Sequence, residues 1–85
     1  MSYEIEWKKE AIKDLQKLET EEKERIVDKI EWFSGYPKRR KNIKFIDKFS
    51  CHRYRIGDFR VFFRKNNDDS LIEILAVERR GKAYR

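Results

Sequence analysis

Residues 51–64 read CHRYRIGDFRVFFR, two short strands meeting at a tight turn on Gly57 and Asp58. Glycine tolerates the positive φ that such turns need, and aspartate is a common turn residue. Side chains alternate between the two faces of a strand. His52, Tyr54 and Ile56 therefore share one face with Phe59, Val61 and Phe63. Arg53, Arg55, Arg60, Phe62 and Arg64 fall on the other. If the apolar set faces a core, four arginines are left on adjacent rungs of the opposite surface. Like charges so placed repel one another, and a polyanion would make the cluster favourable.

The rest of the chain supplies the core's other half. Residues 2–7, SYEIEW, alternate as a half-buried strand with Tyr3, Ile5 and Trp7 on one side. From Lys8 the period becomes helical, with Ala11, Leu15 and Leu18 recurring and Ile12 beside them. Thr20 is the expected N-cap of a second helix, with Lys23 leaving its capping box incomplete. That helix runs through Ile26, Val27, Ile30 and Phe33 to a stop at Gly35, with Pro37 beyond it. Trp32 is left over as a possible partner contact. Residues 43–49 have apolar positions at 43, 45, 46 and 49, which reads as an irregular connection or a short strand. Residues 66–70, NNDDS, form a turn cluster, and residues 71–77, LIEILAV, form a nearly continuous apolar strand. Strict alternation there puts Ile72, Ile74 and Ala76 on one side, with Leu71, Glu73, Leu75, Val77 and Arg79 on the other. With the first set facing the helices, Arg79 joins Arg53, Arg55 and Arg60. Glu78 falls on the helix side and reads as structural.

The order strand–helix–helix–strand–strand–strand gives an α+β fold. An N-terminal strand and a helical hairpin pack on one face of a mostly antiparallel four-stranded sheet. Eighty-five residues make one small domain, 1–85, with no repeat or linker. The formal net charge is +6, unevenly spread: residues 1–35 carry seven Lys/Arg against ten Asp/Glu, and residues 36–85 carry fifteen against six. A basic second half suits nucleic acid. The run Lys38-Arg39-Arg40-Lys41 is a candidate phosphate-contacting loop. Cys51 and His52 are the only cysteine and histidine, so neither a disulfide within the chain nor a conventional metal site is expected, and no cofactor. His52 lies on the apolar side and reads as a satisfied core histidine, and Cys51 as an inert small hydrophobe. No run approaches the ~20 apolar residues of a membrane span, and a soluble, cytoplasmic protein without a membrane partner is the expectation.

The element order, the segment YRIGDFRVFF at 54–63 and the ending AVERRGKAYR at 76–85 resemble the RelE/ParE superfamily of toxin–antitoxin toxins, and more closely its RelE branch. The resemblance spans essentially the whole chain. Its sharpest pieces are the basic-x-basic pair before the turn, the Gly-Asp-aromatic-Arg step, and a C-terminal arginine followed by a tyrosine. It implies a RelE-like fold and a metal-independent endoribonuclease that cuts mRNA in the ribosomal A site. It also implies a cognate RelB-like antitoxin. Carried over, the basic pair falls on Arg53 and Arg55, the arginine after the turn on Arg60, the C-terminal arginine on Arg79 and the tyrosine on Tyr84. The family's pair is often lysine, and many relatives have a histidine just before the C-terminal arginine, where this chain has Glu78.

Cleavage of RNA by its own 2′-hydroxyl needs that oxygen deprotonated, charge on the phosphorane stabilised and the leaving 5′-oxygen protonated. The chain lacks a histidine pair for this and offers a dense cationic patch instead. Arg60 and Arg79 are the candidate phosphate clamps. Arg53 and Arg55 would hold the 2′-hydroxyl and flanking phosphates, and Tyr84 would stack on a base. Arg64, Arg80 and Lys82, with the 38–41 loop, are candidate RNA contacts. Two other readings stay open: a ParE-like toxin acting on DNA gyrase without nuclease activity, and an RNA-binding module without catalysis.

Overall fold

The computed structural model describes residues 2–80. Its elements are strand β1 (Glu4–Trp7), helices α1 (Lys9–Gln16) and α2 (Thr20–Ser34), and strands β2 (Ile43–Ile46), β3 (Cys51–Ile56), β4 (Phe59–Asn66) and β5 (Leu71–Arg79). A short 3₁₀ turn, Asp47–Phe49, follows β2. The sheet has five strands in the order β1-β5-β4-β3-β2. β1 runs parallel to β5, and every other neighbouring pair is antiparallel. The α+β architecture is as expected, with one strand more. Residues 43–46 form an edge strand whose irregular apolar spacing continues into the 3₁₀ turn.

The β3–β4 hairpin is the one read from the sequence. Gly57 takes a φ of 57°, in the left-handed region that favours glycine. Tyr54 and Ile56 of β3 and Phe59, Val61 and Phe63 of β4 are buried together. Phe33 of α2 reaches down onto this layer, with its ring 5.4 Å from Tyr54 and 5.2 Å from Phe63. Ala11 of α1, Ile26 and Ile30 of α2, and Ile72 and Ile74 of β5 complete a core in which each of these five is fully buried. A fully buried Phe or Ile contributes about 1.5–3 kcal/mol relative to exposure. Both helices lie on this face, and among the described residues no helix or loop covers the opposite, outer face.

Helix α2 is capped differently from the expectation. Its N-cap is Glu19, and the carboxylate of Glu22 accepts the Glu19 backbone N–H at 3.2 Å. The box thus closes one residue earlier than a Thr20 cap would place it, with an acid at its third helical position. α1 also tethers the sheet. β1 stops pairing at Trp7 opposite Ile74, which leaves the β5 edge beyond it unpaired by any strand. There the Asp14 carboxylate accepts the Val77 N–H at 2.9 Å, which satisfies a backbone donor that would otherwise lie orphaned at a half-covered edge.

β5 departs from strict alternation. Phe63 faces Ile74 and Phe62 faces Ala76, so β5 carries one residue, Leu75, beyond what β4 matches. A bulge of this kind shifts every later residue to the other face. Ile72 and Ile74 face the helices as expected, but so do Val77 and Arg79, opposite Val61 and Phe59. Ala76 and Glu78 turn to the outer face, opposite Phe62 and Arg60. The expected positions of Ala76, Val77, Glu78 and Arg79 are all reversed.

A candidate RNA-binding groove on the uncovered face

Three of the predicted arginines meet. Lys44 stands opposite Arg53, and Arg55 opposite Arg60, on the outer face of β2, β3 and β4. Arg53, Arg55, Arg60, Lys44 and Arg80 line a groove of about 360 Å³, together with Asn42 and Ile43. Arg55 is fastened at its rim. Asn42, in the left-handed region with a φ of 66°, accepts the Arg55 backbone N–H at 2.9 Å and an Arg55 guanidinium N–H at 3.3 Å. Directly opposed like charges destabilise a strand pair, so Arg55 facing Arg60 is a cost that an anion in the groove would offset. Glu78 stands on the same rung, across from Arg60, with an exposed side chain.

Arg79 is the correction. The bulge turns it to the helix side, where its guanidinium carbon lies 4.7 Å from the centre of the Phe59 ring. There it donates to both carboxylate oxygens of Glu22, at 3.1 and 3.3 Å. The Glu19 backbone N–H, and then Arg79, hold the Glu22 carboxyl below its ordinary value. Arg79 is thereby a tie between the end of the sheet and the first turn of α2. The fourth groove arginine is its neighbour Arg80, whose backbone N–H is held by the Asp58 carbonyl in the hairpin turn at 2.6 Å. The sequence reading named Arg80 as an RNA contact but gave the clamp position to Arg79. The usable signal was the spacing of Glu73 and Glu78, two outward polar residues an odd number of positions apart, which a regular strand does not allow.

The remaining candidates lie elsewhere. Arg64 is on the outer face but opposite Glu73, at the other end of the sheet from Arg60. Arg39 stacks on Trp32, with its guanidinium carbon 3.9 Å from the ring centre, and donates to the carbonyls of Trp32 and Tyr36. Lys38 and Arg40 border a cleft with Tyr3, Tyr36 and Lys65, and Lys41 borders one with Trp32. The basic loop is therefore separate from the groove. It is fastened where the half-buried Lys65 ammonium donates to the Pro37 carbonyl at 2.9 Å. Tyr84 and Lys82 lie outside the described residues.

His52 and Cys51 are unsuited to chemistry on this face. His52 points to the helix side, stacked on Phe63 at 5.1 Å and edge-on to Phe45. Burial, aided by the Lys65 and Arg40 charges, pushes its pKa down. Its buried Nδ1 has no hydrogen-bond partner among the described residues, so the expectation of a satisfied core histidine is not met at that atom. Cys51 is buried as a small hydrophobe, and burial raises its pKa. Among the described residues no cluster of His, Cys, Asp and Glu could hold a metal, and no helix is long and apolar enough to cross a membrane.

Residues 5–84 match the model of the ParE toxin of the type II toxin–antitoxin system, parDE. The chain belongs to the ParE/RelE toxin family. No curated protein matches it. Among solved structures, it is similar to the archaeal RelE–RelB complex from Pyrococcus horikoshii OT3, with 26% identity and a TM-score of 0.82 over 96% of this chain and 99% of the other. The RelBE2 toxin–antitoxin complex from Mycobacterium tuberculosis shares the fold at 21% identity, with a TM-score of 0.84 over 96% and 95% of the two chains. The intact RelBE complex of E. coli does so at 16% identity, with a TM-score of 0.79 over 95% and 100%. Membership makes this chain a type II toxin.

Proposed function

We propose that this toxin is a metal-independent endoribonuclease that enters the ribosomal A site and cuts mRNA there, stopping translation. The observation that carries the reading is the convergence of Arg53, Arg55, Arg60 and Arg80 on one groove of the uncovered face. Arg60 and Arg80 would hold the scissile phosphate and stabilise charge as the phosphorane forms. Arg53 and Arg55 would bind the 2′-hydroxyl and the flanking phosphates, with Tyr84 stacking on a base as the resemblance implies. Preorganised cations of this kind act on developing charge without reorganising at the moment of reaction. With few proton-transferring groups in reach, the site would be slow on free RNA and would depend on a scaffold that holds the strand in line. The ribosome supplies one.

The natural inhibitor is a RelB-like antitoxin whose acidic groups cover the groove, and the toxin acts in the cytoplasm, where ribosomes are. The family match to ParE favours a second reading, a toxin that binds DNA gyrase and cuts nothing. Primer extension on mRNA translated in vitro, comparing wild type with Arg60→Ala, separates the two. Cuts at A-site codons that the variant loses support the nuclease. Gyrase-dependent DNA breaks with intact mRNA overturn it in favour of the second reading, and RNA binding without cuts overturns catalysis altogether.

A further inference from the structure

We infer that Glu78 is the general base that takes the 2′-hydroxyl proton in this cleavage, an inference that rests on the nuclease reading above. The bulge at Leu75 brings Glu78 out onto the groove face directly across from Arg60. Opposed residues of an antiparallel pair have Cα atoms about 4.5–5.5 Å apart. Arg80 follows two positions along β5 and lines the groove with Arg60, so Glu78, at the groove's β5 side, is a neighbour of both arginines assigned to the phosphate. The 2′-oxygen is only three covalent bonds from the 3′-oxygen that carries that phosphate. A phosphate seated on Arg60 and Arg80 therefore brings its 2′-hydroxyl near the residue that neighbours both.

The groups facing Glu78 are Arg60 and, beyond it on the same rung, Arg55 from β4 and β3, and Arg80 along β5; Asp14 of α1, at the same stretch of β5, has its carboxylate occupied by the Val77 N–H. The nearest other acids are engaged or displaced. Glu73 is at the far end of the face, bound to Lys8 at 3.3 Å, and Asp58 sits in the hairpin turn. Guanidinium groups hardly ever give up a proton and cannot serve as the base. His52 is on the wrong face, and Cys51 is buried.

The 2′-hydroxyl proton passes to the Glu78 carboxylate as the 2′-oxygen bonds to phosphorus. The bond from phosphorus to the 5′-oxygen breaks, and that oxygen takes a proton from solvent. The products are a 2′,3′-cyclic phosphate and a 5′-hydroxyl, and Glu78 returns its proton to water. No oxidant, reductant or metal is consumed.

The test is single-turnover cleavage of mRNA on programmed ribosomes as a function of pH, for wild type, Glu78→Gln, Glu78→Asp and Arg60→Ala. General-base loss typically costs on the order of 10²–10⁴-fold in rate, and Glu78→Gln should show a loss in that range with ribosome binding unchanged. The Gln variant should climb more steeply with pH than wild type, because hydroxide must replace the base. Glu78→Asp should keep the wild-type pH profile and part of the rate. If Glu78→Gln cuts within about threefold of wild type on the same pH profile while Arg60→Ala is inactive, the base assignment is wrong and the nuclease reading stands. A weakened ribosome affinity with an unchanged rate would make Glu78 a positioning residue and equally overturn the inference. Absence of cutting by wild type removes the nuclease reading, and the inference with it.

Discussion

The uncovered face of the sheet has two ends built on the same strands and charged in opposite styles. At one end Lys8 bridges Glu6 and Glu73, at 3.4 and 3.3 Å, and Arg64 stands opposite Glu73. Positive and negative groups alternate there, as a surface selected for folding alone would arrange them. At the other end Lys44, Arg53, Arg55, Arg60 and Arg80 crowd one groove, and Glu78 stands beside it, paired across the ladder with Arg60. The bulge at Leu75 lies between the two ends. Charge balance marks one end, and imbalance marks the end that the nuclease reading assigns to RNA.

Breaking the unbalanced end should have the largest effect. Arg60→Ala should lower ribosome-dependent cleavage on the order of 10²–10³-fold, as loss of one preorganised charge stabiliser does elsewhere. The measurement is the single-turnover rate, with thermal unfolding as a control that should barely move. Arg64→Ala, the same substitution on the same face and strand, should leave cleavage within about threefold of wild type, the scale of a surface change away from a site. Comparable losses in the two variants would mean that RNA occupies the whole face and that the contrast between its ends has no functional content.

A smaller effect concerns the helix side. Glu22 has its carboxyl pKa lowered by the Glu19 N–H and by Arg79. A depressed carboxyl pKa contributes stability that is present above the unfolded value, ~4.3 for Glu, and is lost as pH falls through the folded one. Glu22→Gln should therefore be less stable than wild type at neutral pH, with the gap narrowing as the solution is acidified below that value. Equal melting temperatures of wild type and variant across pH 3–7, a range chosen to bracket ~4.3, would show that the Glu22 tie carries no stability.

Much of this was legible beforehand because the hairpin at 51–64 obeys its local rules without exception. Alternation placed Tyr54, Ile56, Phe59, Val61 and Phe63 correctly in the core, and with them Arg53, Arg55 and Arg60 outside. The two helices followed from their apolar spacing. The failures share one physical origin, a backbone event that side-chain identity encodes only weakly. One extra residue in β5 exchanges Arg79 with Arg80 and brings Glu78 outward, and neither an Ala nor a Leu at 75 or 76 would announce it. The cap of α2 was missed because Glu is not a preferred N-cap residue. β2 was left ambiguous because its pattern is cut short by the 3₁₀ turn that follows.

The reading of the groove depends on which of two adjacent arginines reaches RNA, and that can be measured directly. Arg79→Ala and Arg80→Ala should be compared for mRNA cleavage on programmed ribosomes and for melting temperature. Arg80→Ala should lose cleavage with its melting temperature kept, while Arg79→Ala should melt lower and, where folded, still cut. The reverse pattern, an inactive but stable Arg79→Ala beside an active Arg80→Ala, would contradict the account.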